Sequence, residues 1–286
     1  MAVLDAIIAG LLVGLAFAVL AVGFTLIWGT IDVINVAHAA FGVLGAYLGY
    51  FANTRFGVDP LLALVVIVPL FFAIGYAFYA TLVKKLLSQT EDVAFASLVL
   101  SLGLMFAVEN SMISVFSADP RLTKTPYTAV TYNFAGTAIP GGRLVGGAVA
   151  VVTLATVYLF LTRTYTGRAV RAVSEDPEGA ALCGIDRHRV SGITSGIGFA
   201  TAGVAGVALS LFYAFDPATQ LSWLVNVFLV TVFGGIGSVV GSGLAGVFTG
   251  LVTEFTALAL PFEYVDLVLF GILFVVLLVR PEGLIQ

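Results

Sequence analysis

Long apolar runs alternate with short polar ones along the whole chain, and that pattern sets the first expectation. A bilayer core about 30 Å thick takes roughly 20 mostly apolar helical residues, at about 1.5 Å rise each. Runs of this kind predict spans at Ala6 to Trp28, Leu61 to Val83, Val93 to Phe116, Leu144 to Leu161 and Val190 to Tyr213, with a shorter one at Ala37 to Phe51. Asn53, Gly57 and Pro60 punctuate the turn between the second and third spans, and Lys84, Lys85, Glu91 and Asp92 lead into the fourth. The uncharged stretch Pro217 to Thr253 is too long for one helix; Gly234, Gly235, Gly237 and Ser238 break it into a seventh and an eighth span. A ninth, from Pro261 to Val279, ends at Arg280 and Pro281. The second and seventh are short enough to be re-entrant. The expectation is an all-α, polytopic integral membrane protein of eight or nine transmembrane helices, forming one transmembrane domain over residues 1–286.

Composition agrees, since 60% hydrophobic residues and a mean hydropathy of +1.11 leave too little polar surface to cover a soluble globule. The net charge of -4 is spread over loops and points to no nucleic-acid partner. The first positive charge is Arg55, so the N-terminal run lacks the basic flank of a secretory signal and reads as an uncleaved span. Residues 117–143, with three prolines and several threonines, read as a polar loop on the extracytoplasmic side. The positive-inside rule supports this orientation: Lys84, Lys85, Arg163, Arg168, Arg171, Arg187, Arg189 and Arg280 fall on the cytoplasmic side, against Arg55, Arg121, Lys124 and Arg143 outside. The single Cys183 has no partner for an internal disulfide and reads as a reduced structural thiol, and no Cys/His cluster suggests a metal.

One polar stretch stands apart, Gly167 to Arg189 (GRAVRAVSEDPEGAALCGIDRHR), with four arginines and four acids in a chain that is 10% charged. Each charge would cost about 2.5 to 3.5 kcal/mol at the centre of a spanning helix, so this stretch faces water. Within it, Pro177 and Glu178 open a run of small residues that closes at Gly184. Pro in a first helical turn, an acid at the positive end of the dipole and Gly past the end predict a short helix over Pro177 to Cys183. Its small face, Ala180, Ala181 and Cys183, suits a groove on a partner. The plainer reading is a solvated loop whose arginines set topology, His188 among them being simply solvated.

Two stretches interrupt otherwise apolar sequence. Residues 29–42 (GTIDVINVAHAAFG) place Asp32, Asn35 and His38 three apart, which is one face of a helix. Residues 234–243 (GGIGSVVGSG) are the glycine break. Transporters build central sites from such broken helices in corresponding halves of the chain, although no residue-level repeat is visible here. Close helix approach is the competing reading of the glycines. Asp32 and Asn35 also read as N-caps of the second helix, and His38 as a packing histidine or a pathway residue. Glu109 and Glu254 fall within predicted helices. Each is a candidate for the translocation path, along with Asn35 and His38, or else an interfacial or structural group.

Thr25 to Phe51 (TLIWGTIDVINVAHAAFGVLGAYLGYF) resembles the signature of branched-chain amino acid ABC transporter permeases of the LivH/LivM type. GRAVRAVSEDPEGAALCGI, TAGVAGVALS and VFGGIGSVVGSGLAGVFTGLVTE resemble that family's coupling loop, the helix after it and its glycine-rich seventh and eighth segments, in the same order from Thr25 to Glu254. The resemblance implies an importer's permease domain with a coupling loop at 164–189, where Arg168, Arg171, Glu178, Ala180, Ala181 and Gly184 meet the ATPase. Glu178, Ala180 and Gly184 match the E-x-A-x-x-x-G pattern of ABC permeases, and Gly179 departs from it. Val36 and Ala39 or Ala40 stand where family members usually have Phe and Gly, which bears on the substrate more than on the fold.

The resemblance further implies a second permease, identical or homologous, two cytoplasmic ABC ATPases carrying ATP and Mg, and an extracytoplasmic solute-binding protein, around a multi-pass chain in a prokaryotic plasma membrane. Leucine, isoleucine and valine are the implied substrates, with urea or short amides carried by relatives. No G-x-x-x-x-G-K-[ST] phosphate loop occurs in the chain, so it is expected to bind no cofactor and to hydrolyse no ATP. An ion-driven secondary transporter using Glu109 or Glu254 is the rival class, and an integral membrane enzyme is a more distant one.

Overall fold

The computed structural model describes residues 2–90, 92–134 and 136–279; the expectations attached to Glu91, Arg280 and Pro281 lie outside these described residues. In chain order the helices are α1 (Ala2–Ile31), α2 (His38–Phe56), α3 (Pro60–Phe78), α4 (Lys84–Leu87), α5 (Val93–Phe116), α6 (Gly141–Arg163), α7 (Tyr165–Glu175), α8 (Pro177–Leu182), α9 (Arg187–Ser210), α10 (Thr219–Gly234), α11 (Val239–Ala259) and α12 (Val265–Val279). A π-helical turn, Tyr79–Val83, joins α3 to α4 without a break.

Helix starts follow side-chain chemistry. Asp59 accepts from Leu61 N at the head of α3, Asp92 from Phe95 N at α5, Asp176 from Glu178 N and Gly179 N at α8, and Asp186 from His188 N and Arg189 N at α9. Each supplies an acceptor to backbone N–H groups that have no partner inside the helix.

Seven described helices are long and apolar enough to cross a membrane: Ala2–Ile31, Pro60–Leu87, Val93–Phe116, Gly141–Arg163, Arg187–Ser210, Val239–Ala259 and Phe262–Val279. Helix α10 is shorter, with 16 residues, about 24 Å at the usual rise. Helix α2 has 19 residues but is less apolar. Helix α2 begins midway along α1, where His38 Nε2 lies 3.0 Å from Leu20 O, and α10 begins near Phe17, where Trp223 packs edge-on. Gly45 lies against Gly203 and Gly49 against Val207, so α2 is parallel to α9, whereas Phe72 against Gly196 and Tyr76 against Gly192 make α3 antiparallel to it. Helix α10 begins beside the outer part of α5, where Gln220 meets Glu109, and ends at Gly234 against Gly241 of α11.

Helices α1 and α9 are buried along most of their length and form the centre, while α3, α5, α6 and α12 expose most of theirs. The tightest seam is between α1 and α11. Gly10 meets Gly250 and Gly14 meets Gly246, so two G-x-x-x-G steps bring the antiparallel backbones into contact. Between Leu20 and Leu209 the core is filled by Phe24, Phe41, Tyr47, Phe71, Phe199 and Phe215.

Two expectations change. The 117–143 connector is not all loop, because Thr131–Phe134 and Thr137–Pro140 pair as an antiparallel hairpin and α6 already begins at Gly141. It is also tied down, Arg121 and Phe215 exchanging two backbone hydrogen bonds of 2.9 and 2.8 Å. The 164–189 stretch is likewise no solvated loop but two helices. In α7 one side, Gly167, Ala169, Val170 and Val173, is buried, its valines packing with Val22, Leu26, Val157 and Leu161, and Arg168 and Arg171 are left in water. The run is amphipathic, which its charge count concealed.

The α1/α11 seam predicts a contrast between two Gly→Ala substitutions. A Cβ on Gly14 lands on the carbonyl of Gly246, which is backbone and has no room to yield, whereas one on Gly103 meets nothing within 4 Å. Gly14→Ala is expected to destabilise by about 1 to 3 kcal/mol, and Gly103→Ala to be neutral or slightly stabilising. Thermal unfolding of the purified protein in detergent measures both.

Candidate functional site

The two interruptions of apolar sequence meet around the same end of α1. Helix α1 stops at Ile31, and Asp32 takes φ +58°, a left-handed turn closed by Asp32 N donating to Trp28 O at 2.8 Å. The chain then runs unwound to α2. Its backbone is satisfied from α5: Ser97 Oγ accepts from Ile34 N at 3.1 Å, and Ser101 Oγ accepts from Val36 N while donating to Ile34 O, both at 3.0 Å. With water excluded, such groups need protein partners, and two serines four residues apart on one helix face supply them. Ser97, Ser101, Met105 and Met112 are the buried residues of α5, so the serines carry much of its attachment.

Asp32, Asn35 and His38 therefore do not share a helical face. Asp32 is exposed, Asn35 and His38 are fully buried, and α2 begins only at His38. Neither Asp32 nor Asn35 caps α2; its N-cap position is Ala37, with no side-chain hydrogen bond. Asn35 contributes its backbone carbonyl to His38 N at 3.0 Å, and its side-chain amide has no partner among the described residues. His38 packs edge-on against Phe24 and Phe199 and lies 3.0 Å from Leu20 O. A carbonyl only accepts, so Nε2 carries the proton of this contact.

The glycine break lies against the same end of α1. Gly235 and Gly237 take φ +82° and +85°, conformations that a side chain would strain. Gly237 N donates to Thr25 Oγ1 at 2.7 Å, and the Cα of Gly237 is so close to Gly29 that a Cβ on Gly29 would sit 2.5 Å from it. Ser238 caps α11 by accepting from Gly241 N, and Gly234 packs on Gly241. Close approach thus belongs to Gly234 and Gly237, and unwound backbone to Gly235 and Gly237.

Helix α7 closes the arrangement from the polar side. Ser174 Oγ donates to Gly29 O at 2.7 Å, linking the 164–189 region to the last turn of α1. Between α1, α6, α7 and the glycine break lies a cavity of about 510 Å³, with Arg171, Ser174 and Glu175 on its polar wall. Beyond α7, the short helix α8 forms as expected but ends one residue early, Cys183 being its C-cap and Gly184 taking φ +81°. Its orientation corrects the sequence expectation. Ala180 turns inward, 6% exposed against Val170 and Val190, while Glu178, Ala181 and Cys183 face out beside Leu182, which is 91% exposed.

The membrane-depth carboxylates have separate surroundings. Glu109 accepts a 2.6 Å hydrogen bond from Gln220 Nε2, a contact that ties α5 to α10. Glu254 borders a cavity of about 440 Å³ at the N-terminal end of α1, with Asp5, Arg143 and the Thr137–Pro140 strand. Among the described residues no group of three or more His, Cys, Asp or Glu side chains is placed to hold a metal.

Sequence reasoning passed over Thr25, Ser97, Ser101, Ser174, Gln220 and Leu182. The Ser97/Ser101 spacing was a legible signal; Thr25, Ser174 and Gln220 look like ordinary polar residues until their distant backbone and side-chain partners are known.

Interrupted spans around a central α1, with an amphipathic element pinned to them, are the build of a membrane permease subunit. The chain belongs to the family described as "Branched-chain amino acid transport system / permease component", whose model matches residues 6–278. It is 31% identical over 292 residues to the Pseudomonas aeruginosa high-affinity branched-chain amino acid transport system permease protein BraD, covering 99% of this chain and 95% of that one. Similarity to the Salmonella typhimurium permease LivH is 29% over 300 residues, 96% of this chain and 93% of the relative. To a probable LivH of Methanocaldococcus jannaschii it is 28% over 278 residues, 93% and 87%. No solved structure matches the chain.

Ser101 offers the sharpest test of the unwound segment. Ser101→Ala leaves Val36 N and Ile34 O without that partner in an apolar setting and is expected to cost about 1 to 3 kcal/mol. Ser111→Ala, on the exposed side of the same helix, is expected to cost little. Thermal unfolding in detergent compares the two.

Proposed function

We propose that the chain is one permease half of an ATP-driven importer in a prokaryotic plasma membrane, carrying leucine, isoleucine and valine or related small solutes such as urea or short amides. Relatives named as branched-chain amino acid permeases over nearly the full length support the substrate class. A second permease, two cytoplasmic ABC ATPases holding ATP and Mg, and an extracytoplasmic solute-binding protein complete the assembly. A relative named as a probable LivM, 32% identical over 148 residues, supports a second permease of related sequence.

The observation that carries the coupling reading is α8. It presents Leu182 and Ala181 to water beside the left-handed turn at Gly184, on a region bonded through Ser174 to Gly29. An exposed leucine on a short rigid helix is a knob for a hydrophobic socket. ATP-driven closure of the ATPases moves α8, and α7 carries that displacement to the end of α1 and to the glycine break. The solute-binding protein recognises the charged ends of an amino acid, so the permease path needs few polar anchors. Asn35, His38, Glu109 and Glu254 are then structural or bordering groups, with Glu109 the one best placed at a helix junction.

Leu182→Asp and Gly184→Trp are expected to cut uptake by at least about tenfold, the loss of roughly 1.4 kcal/mol of docking, and to reduce ATPase recovered with the tagged protein in mild detergent. Full transport with either variant overturns the docking role of α8. Uptake that resists vanadate and follows an imposed ion gradient supports the secondary-transporter reading instead, with Glu109→Gln as its first test.

A further inference from the structure

A second cavity, about 790 Å³, opens at the end of the bundle that also carries α7 and α8, the end assigned to the cytoplasm by the distribution of Lys and Arg. Its wall is basic. Lys84 and Lys85 come from α4, and Arg187 and His188 from the first turn of α9, so two segments a hundred residues apart in sequence converge on one space. The rest of the wall is mostly apolar, from Ala80, Leu87 and Val93.

The local backbone is shaped to this end. The π-helical turn Tyr79–Val83 widens the helix just before the two lysines and changes the direction in which they leave it. At the same turn, Tyr79 Oη and His188 Nδ1 make a 2.8 Å hydrogen bond that fixes the imidazole against α3. Among the described residues, the neighbouring carboxylates serve as helix caps: Asp186 accepts from His188 N and Arg189 N, and Asp92 from Phe95 N. On either side in sequence, Leu82 and Phe95 are exposed apolar residues of α3–α4 and α5, helices with little of their surface covered by the rest of the chain.

From this geometry we infer that the pocket binds the phosphate head group of an anionic phospholipid of the cytoplasmic leaflet, with its acyl chains lying along α3 and α5. A basic pocket between helices at the membrane surface, floored by apolar side chains and flanked by lipid-exposed helices, suits a ligand with a charged head and apolar tails. A soluble anion uses the cations and leaves the apolar flank idle. The site is separate from α8 and stands whether or not the coupling reading does.

The test is native mass spectrometry of the full transporter purified in mild detergent, after incubation with phosphatidylglycerol or phosphatidylcholine. Wild type is expected to retain phosphatidylglycerol and not phosphatidylcholine. K84Q/K85Q is expected to lose roughly tenfold or more of the retained lipid, given what each cation contributes near an anionic surface. Lys124→Gln, on the opposite face, is expected to retain it fully. A lipid-free thermal transition equal to wild type shows that the double variant is folded; R187Q serves in its place where it is not. Equal retention of the two lipids, unchanged retention in the variants, or displacement of the lipid by millimolar inorganic phosphate overturns the proposal, the last by making the site one for a soluble anion.

Discussion

Backbone contact between α1 and α11 is the constraint on which the rest of the structure depends. At Gly10/Gly250 and Gly14/Gly246 no side chains separate the helices, so their relative position is fixed by peptide groups alone. The seam continues to the C-terminal end of α1, where Gly29 meets Gly237. It thereby sets the glycine break directly on the last turn of α1. Had α11 stood a side chain further away, Thr25 Oγ1 could not reach Gly237 N, and the part-buried break would lose the partner of a backbone donor, at a cost of about 1 to 3 kcal/mol.

From that contact a continuous set of bonds runs in both directions. Ser174 attaches α7 to Gly29 O, and a few residues later α1 ends in the left-handed turn at Asp32. The unwound segment beyond it is bonded to Ser97 and Ser101 of α5. On the proposed docking of an ATPase at α8, a displacement of α7 acts first on the point where α1 and the glycine break touch. Side-chain packing of Val170 and Val173 with Leu26 and Val22 joins α7 to α1 along that link. On that proposal the unwound segments are the compliant parts, because rotation there strains single turns instead of whole helices.

Most of the fold was legible because hydrophobic run length is a direct physical consequence of bilayer thickness. Val93 to Phe116 was predicted to the residue, and the short helix at Pro177 came from cap chemistry alone. What escaped prediction was direction. The spacing Asp32, Asn35, His38 is helical on paper, yet the chain is unwound up to residue 37, held so by serines more than sixty residues away. Likewise the choice of Ala180 as an inward face depends on Val170 and Val190, which sequence alone does not place. The charge count of Gly167 to Arg189 announced water and hid the apolar stripe of α7. In each case the deciding partner was distant in sequence, and periodicity carries no information about such partners.

The disposition of polar side chains inside the bundle bears on what passes through it. Thr194, Thr201 and Thr249 each donate to a carbonyl of their own helix, and Thr25, Ser101 and His38 serve backbone groups of neighbouring segments. Thr25, Ser101 and His38 thereby hold helices and breaks together, whereas Asn35, Ser191, Ser195, Thr231 and Ser242 keep buried polar atoms with no partner among the described residues. A path built of such helices offers a solute chiefly apolar surface and the ends of unwound segments. On the proposed import of leucine and valine, that suits their side chains, and recognition of the ammonium and carboxylate groups falls to the proposed solute-binding protein. A permease that bound those charged groups strongly at mid-membrane would also hold its cargo, since a deep binding minimum opposes release as much as it favours entry. Weak, apolar contact within the bundle and strong, polar recognition outside it are therefore two halves of one requirement.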